Sequence, residues 1–300
     1  MFIAQAFKYS HSFWKYLVIP ILFFGLMALN YVAVEFLEID VNQFMQEEIA
    51  RKGANRVLAE NLSAFVLFLG GLLFWVKYIH RQPIKALTTA RKKVDWSRFG
   101  FAFLLVAVVN TIIIVVDYYT NPNDYLFNFR PEPFIYLVII SVLLIPLQTS
   151  FEEYFFRGYL MQGLGLLARN RWVPLILTSV IFGGLHYFNP EVSKLGNIIM
   201  IYYIGTGFML GIITLMDEGL ELALGFHAAN NLITALLVTA DWTAFQTDSV
   251  LKDISEPSAG WDILIPIFVV YPVFLFILAK KYGWKNWNEK LFGKVLPPNS

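Results

Sequence analysis

Two adjacent carboxylates and an arginine stand in an otherwise apolar and aromatic run, Phe151-Glu152-Glu153-Tyr154-Phe155-Phe156-Arg157. Ionisable groups inside a membrane-crossing helix cost at least ~2.5 to 3.5 kcal/mol each, so every one needs a partner or a purpose. On a helix Glu153 and Arg157 are four residues apart and can neutralise one another. Glu152 lies about 100° further round the helix, outside that pairing, and is the carboxylate left free to act as a base. A purely structural charge cluster that pins two helices is the competing reading of these three residues.

Two further groups share this apolar context. His186 closes the stretch Phe182-Gly183-Gly184-Leu185-His186, and His227 and Asn231 belong to Phe226-His227-Ala228-Ala229-Asn230-Asn231. The Arg169-Asn170-Arg171 turn makes the helices before and after it antiparallel. Glu152 and His186 are nearly equidistant from that turn, so they are expected at one depth. Gly183 and Gly184 would admit a neighbouring backbone or a substrate. His227 and Asn231, four apart, project from one helical face. An imidazole and a carboxamide side by side in lipid call for polar partners, and Glu152 and His186 are the candidates.

A base, two imidazoles and an amide donor are the parts needed to hydrolyse an amide with activated water. In this reading Glu152 takes the proton of water, assisted by His186, and returns it to the leaving amine. His227 and Asn231 stabilise the oxyanion, a role in which one lost donor typically costs ~10²–10³-fold in rate. Glu153 and Arg157 orient Glu152. Glu152, His186 and His227 would equally make a His/His/carboxylate set for a catalytic Zn2+. No His-Glu-x-x-His occurs in the chain, and both mechanisms stay open at this point.

The elements that must position these groups are set by composition. The chain has 300 residues, 57% hydrophobic and 15% charged, with a net charge of +1. Such a chain has lipid as its solvent, so membrane lipids are its first partners. Its scattered bases form no phosphate-binding stripe, and nucleic acid is set aside. It has no cysteine, which excludes disulfides, thiolate catalysis and Cys-ligated metal. Apolar runs long enough to cross a bilayer are expected at about 16–34, 62–79, 99–116, 133–148 with a continuation to 167, 172–188, 196–216, 220–240 and 261–279. The fold class expected is therefore all-α and polytopic, with about eight transmembrane helices in a single domain, 1–300. The N-terminal segment reads as retained, since no small-residue cleavage site follows the first apolar run.

Basic residues accumulate in cytoplasmic loops. Lys77 to Arg98, the Arg169/Arg171 turn, Lys8 and Lys15, and the tail from Lys280 to Lys294 all fall on one side of an eight-span chain, which puts both termini in the cytoplasm. The Asp217-Glu218 turn is the acidic exception on that side. The eight tryptophans, at or beyond span ends, read as interfacial anchors, as do His11 and His80. Gly207 and Gly211 form a GxxxG read as helix packing. Pro146 is expected to bend the long fourth span.

Glu-Glu-x-x-x-Arg at 152–157, Phe-x-x-x-His at 182–186 and His-x-x-x-Asn at 227–231 follow in order across consecutive spans. The ordered triple resembles the motifs of the CAAX protease and bacteriocin-processing family, also called the CPBP or Abi family of intramembrane proteases, which includes prenyl-protein CAAX endopeptidases. The resemblance covers residues 150–234. It implies an eight-span helical fold around a cavity, a catalytic core at about 133–240, and Glu152, His186, His227 and Asn231 as its catalytic residues. In the prenyl-processing branch the glutamate activates water without metal. The activity implied is an intramembrane endopeptidase of a bacterial inner membrane, cutting a protein or peptide near its C-terminus, with lipid-modified substrates in that branch. Two other classes compete: a non-catalytic bacteriocin-immunity or scaffold protein, and a proton-coupled transporter using Glu152 and the histidines as a relay. The absence of a detectable inverted repeat counts against the transporter.

Overall fold

The computed structural model of the protein describes residues 1–258 and 260–297, excepting the side chains of Trp261 and Asp262. The expected interfacial anchoring of Trp261 thus falls outside the described residues. The helices are α1 Trp14–Phe36, α2 Val41–Lys52, α3 Ala54–Phe74, α4 Ile84–Thr88, α5 Trp96–Thr120, α6 Pro131–Glu153, α7 Met161–Ala168, α8 Trp172–Leu185, α9 Pro190–Leu195, α10 Ile199–Asp217, α11 Glu221–Leu237, α12 Tyr271–Tyr282 and α13 Trp287–Phe292.

The protein is a helical, polytopic membrane protein. Among the described residues five helices are long and apolar enough to cross a bilayer: Lys15–Phe36, Ala54–Ile79, Trp96–Thr120, Pro131–Ala168 and Ile199–Asp217. Each overlaps one of the eight expected spans. The other three expected spans are shorter as helices: α8 has 14 residues, α11 has 17, and the last run divides into turns followed by the 12 residues of α12. The shortfall at α11 has a physical cause. Glu221, His227, Asn230 and Asn231 lower its hydropathy, and it can carry them because Leu222 to Ala229 are buried within the protein.

One element was not expected. β1 Tyr125–Phe127, β2 Val238–Thr239 and β3 Leu251–Asp253 form a small sheet in the order β1-β3-β2. Leu126 pairs with Lys252 in the antiparallel half and Val238 with Leu251 in the parallel half. The sheet ties together the loops that follow α5 and α11, whose extended backbones would otherwise leave polar groups unpaired.

The bundle is organised around α11, which packs against α5, α6 and α10, while α8 packs on α10 and α3 on α6. Two glycines set the closest approaches. A Cβ at Gly225 would stand 2.2 Å from the Phe99 carbonyl oxygen of α5, and one at Gly207 would stand 2.6 Å from the Ser179 carbonyl oxygen of α8. The GxxxG of α10 is thus a packing surface, as expected.

The long fourth span runs unbroken through Pro146 for 38 residues, roughly 57 Å at 1.5 Å per residue. Its irregularity lies later, where Tyr154–Leu160 winds as a π-helix between α6 and α7. Such π segments concentrate at functional sites, and this one begins directly after Glu153.

The polar residues at one end of the bundle form a closed network. Asp217 receives Arg91 Nη2 at 2.5 Å and Arg98 as well, and Glu221 receives Arg91 Nη1 at 3.0 Å. Glu218 is paired with Lys290 at 2.5 Å, with Arg171 at 3.5 Å, and accepts the Phe2 backbone N–H. Burial pushes the Glu218 carboxyl up, but the hydrogen bond and charge of Lys290 outweigh it and hold the group below the usual carboxylate range. The acidic exception of the Asp217-Glu218 turn is therefore accounted for: it joins the Arg91–Arg98 loop, the Arg171 turn, the N-terminal segment and the tail at one end.

Not every edge residue behaves as an anchor. Trp14 and Trp96 are exposed, as an interfacial indole should be. Trp284 instead donates to Asp217 at 3.2 Å, and Trp242 lines an internal cavity. His80 is 1% exposed and bonds through Nδ1 to the Ser10 carbonyl at 2.9 Å. Burial pushes its imidazole down to about 4. It is a core residue fastening the N-terminal segment, a departure from its interfacial reading.

A polar cavity built on three helices

Glu152 sits near the C-terminal end of α6, on a turn shared with Gln148, whose Nε2 donates to Glu152 Oε1 at 2.6 Å. His227, on α11, lies across from it with Nε2 at 3.5 Å from Glu152 Oε2. The other ring nitrogen, Nδ1, donates to Glu153 Oε1 at 2.8 Å. That bond settles the orientation of His227 and, in the neutral ring, leaves the lone pair of Nε2 facing Glu152. Glu153 thus meets His227 directly and Arg157 meets Glu153, whereas sequence reasoning assigned both to Glu152.

Glu153 and Arg157 are both fully buried and paired at 3.1 Å. Arg157 Nη2 also donates to the Gly207 carbonyl at 3.1 Å. This is one reason for close packing at Gly207: it brings a backbone acceptor of α10 within reach of a guanidinium that has no water. The Phe182 ring covers Arg157 at 4.2 Å and meets the His227 ring edge-on at 5.9 Å. The phenylalanine of the Phe-x-x-x-His motif therefore supports a cation and both histidines, a role its apolar type concealed.

His186 stands at the break between α8 and the turn His186–Phe188. Its Nδ1–H donates to the Phe182 carbonyl at 2.9 Å, and its ring stacks on Tyr203 at 4.3 Å and 20°. Gly183 lets α10 approach, since a Cβ there would lie 2.7 Å from the Ile204 nitrogen, while Gly184 has open space around it.

Asn231 donates to Gln148 Oε1 at 3.4 Å and accepts from Asn230 at 3.1 Å, and Asn230 accepts from Asn110 of α5 at 3.1 Å. A continuous polar chain thus runs from Asn110 through Asn230, Asn231, Gln148, Glu152, His227 and Glu153 to Arg157. Sequence reasoning missed Gln148 and Asn110. The available signal was the i,i+4 spacing of Gln148 before Glu152; for Asn110, one polar residue in an apolar run gave no indication of its partner.

Glu152, His186, His227 and Asn231 all border one cavity of about 460 Å³. Its lining also includes the apolar Phe23, Met27 and Phe65 and, from the segment that follows β2, Trp242 and Phe245.

The zinc set was weighed against this geometry. His227 is engaged on both ring nitrogens by glutamates and His186 Nδ1 by a carbonyl. Among the described residues no group of three or more histidine, aspartate or glutamate side chains is arranged to hold a metal ion. No step is routed through a metal ion.

Comparisons with known proteins agree with the motif reading. Residues 131–233 match the family described as Type II CAAX prenyl endopeptidase Rce1-like, and the resemblance to the CAAX protease family is thereby shown. The chain is also 27% identical over 270 residues to "Uncharacterized protein YyaK" of Bacillus subtilis (strain 168), covering 87% of this chain and 89% of that protein. No solved structure matches the chain.

Proposed function

We propose that the protein is an intramembrane endopeptidase that hydrolyses a peptide bond of a protein or peptide substrate with water activated by Glu152. The observation that carries this reading is the facing pair at the cavity floor: Glu152 Oε2 at 3.5 Å from a His227 that Glu153 holds in place. The Rce1-like match over 131–233 supports a protease of the CAAX type.

Glu152 accepts a proton from a water in the cavity, and the water oxygen attacks the scissile carbonyl carbon. As the tetrahedral intermediate collapses, the C–N bond breaks and Glu152 returns the proton to the amine nitrogen. His186, with Nδ1–H bound to a carbonyl, offers Nε2 as a second acceptor for the attacking water. Asn231 Nδ2, whose bond to Gln148 is long at 3.4 Å, can exchange that bond for one to the oxyanion. His227 donates to the oxyanion from Nε2 when the ring carries both protons. Glu153 acts by aiming His227, and Arg157 by aiming Glu153.

The basic end is proposed to face the cytoplasm, and the cleavage position near a substrate C-terminus follows the CAAX-type family. Water activation by Glu152 is proposed to proceed without metal. The decisive experiment measures cleavage of a peptide library by wild type and by Glu152→Ala and His227→Ala in lipid nanodiscs, before and after chelation. Folded wild type that cuts nothing, or variants that cut as well, sinks the protease reading; activity that vanishes with metal sinks the metal-free mechanism.

A further inference from the structure

Beyond the polar floor, the same cavity holds a second acidic feature that the hydrolytic scheme does not use. Glu191, on α9, lines the cavity. Its Oε1 is anchored by the Ala244 backbone N–H at 2.9 Å. Its Oε2 is buried with no hydrogen-bond partner. Lys194, three residues on, points to solvent, and among the described residues no lysine or arginine forms an ion pair with Glu191. A buried carboxylate with an unpaired oxygen and no counter-charge is an expensive arrangement, costing several kcal/mol before relaxation, and it is relieved by a cation.

The surroundings fit that cation. The residues lining the cavity include the carboxylates of Glu152, Glu191 and Asp253 and no lysine or arginine. Trp242, two residues before the Ala244 amide that holds Glu191, lines the cavity beside it, and its Nε1 is likewise buried without a partner. Tyr203 also borders the space, between Glu191, whose charge it feels, and His186, on which it stacks. Aromatic faces next to a carboxylate attract ammonium and guanidinium groups.

We infer that Glu191, with Trp242 and Tyr203, forms a subsite for a cationic group of the substrate, a lysine or arginine side chain, set apart from the scissile bond at Glu152. The inference rests on the endopeptidase reading for its function but not for its chemistry, because binding of a cation at Glu191 is measurable without turnover. The subsite makes the protein selective for basic peptides, and its position between loop and floor sets a constant distance between the basic residue and the cut.

The test uses the full chain in nanodiscs and fluorescein-labelled apolar peptides that differ at one position: lysine, glutamine or glutamate. Wild type is expected to bind the lysine peptide about tenfold tighter than the glutamine peptide, the size of one charge-assisted hydrogen bond. Glu191→Gln brings the two to equal affinity, and Glu191→Lys reverses the order in favour of the glutamate peptide. Equal binding of lysine and glutamine peptides by wild type overturns the subsite, whether or not the peptides are cut. Selective binding with no cleavage of any peptide upholds the subsite and counts against the protease reading. Because the lysine–glutamine comparison is made on wild type, misfolding of a Glu191 variant leaves it decisive.

Discussion

The molecule contains two clusters of buried charge built on opposite principles. At the basic end Asp217, Glu218 and Glu221 are met by Arg91, Arg98, Arg171 and Lys290, drawn from three separate segments of the chain. Each of the three carboxylates there has a basic partner. In the middle of the bundle Glu152 and Glu153 share one arginine and one histidine, and the carboxylate without the arginine borders empty space. A matched cluster is a fastener; an unmatched one beside a cavity retains chemical potential that substrate or water can draw on. Adjacent residues can fall on either side of this division. Glu153 makes its bonds within the protein, and Glu152 keeps one oxygen toward the cavity.

Substitutions can break this distinction. Glu152→Gln is expected to lower kcat by ~10³-fold or more, as loss of a general base does, with the thermal midpoint in detergent unchanged; a large loss of stability would place Glu152 among the fasteners. Asp217→Asn is expected to do the reverse. It takes one carboxylate from Arg91, which keeps Glu221, and one from Arg98, which keeps Asp95, so the cost is about 3 kcal/mol, the low end of the range for removing one partner of a buried pair, Arg91 being 23% exposed. Thermal unfolding and peptide cleavage measured on one preparation separate the two outcomes. Glu153→Gln should combine both, with kcat falling ~10²-fold as His227 loses its orientation and with lower stability. Rescue of activity without rescue of stability in Glu153→Asp would identify aiming of His227 as its contribution to rate. Gln148→Ala is expected to cost about tenfold in kcat, the scale of one lost neutral hydrogen bond to a charged group, with KM unchanged.

The smallest effect concerns acid. The folded protein keeps His80 neutral down to about pH 4 while the unfolded chain takes up its proton near 6.5. The unfolded state therefore binds more protons between these values, and stability falls as pH drops through that window. Glu218, held below the usual carboxylate range, adds a loss in the same direction at lower pH. His80→Gln should flatten the upper part of the curve of unfolding midpoint against pH, provided the N-terminal segment stays docked.

Much of this was legible in the sequence because lipid makes polarity conspicuous. Glu152, His186, His227 and Asn231 stood out as costly residues in apolar runs, and the structure brings all four to one cavity. The matched depth of Glu152 and His186 followed from a single turn. The partners of Glu153 were not legible, since spacing along one helix shows Arg157 but cannot show a histidine on another. The span count also resists reading, because α11 is solvated by protein on most sides and can be shorter and more polar than a helix facing lipid. Glu191 was passed over for a related reason. It lies on the short helix α9 between apolar runs, where a charged residue is ordinary, and its isolation exists only in three dimensions.

The π-helical stretch Tyr154–Leu160 also constrains insertions and deletions along this helix. A π segment accommodates one residue more than the α-helix it interrupts, so deleting a single residue there lets the helix close into regular α geometry. A one-residue deletion in the regular turns of α6 would instead swing everything beyond it by roughly 100°. Gln162, which reaches Gln82 and the Ala86 carbonyl, and Gly163, which lies against Tyr16, would turn away from the N-terminal segment they hold. The length of α6 therefore couples the cavity residues to the contacts beyond them, and it tolerates changes of side chain far better than changes of count.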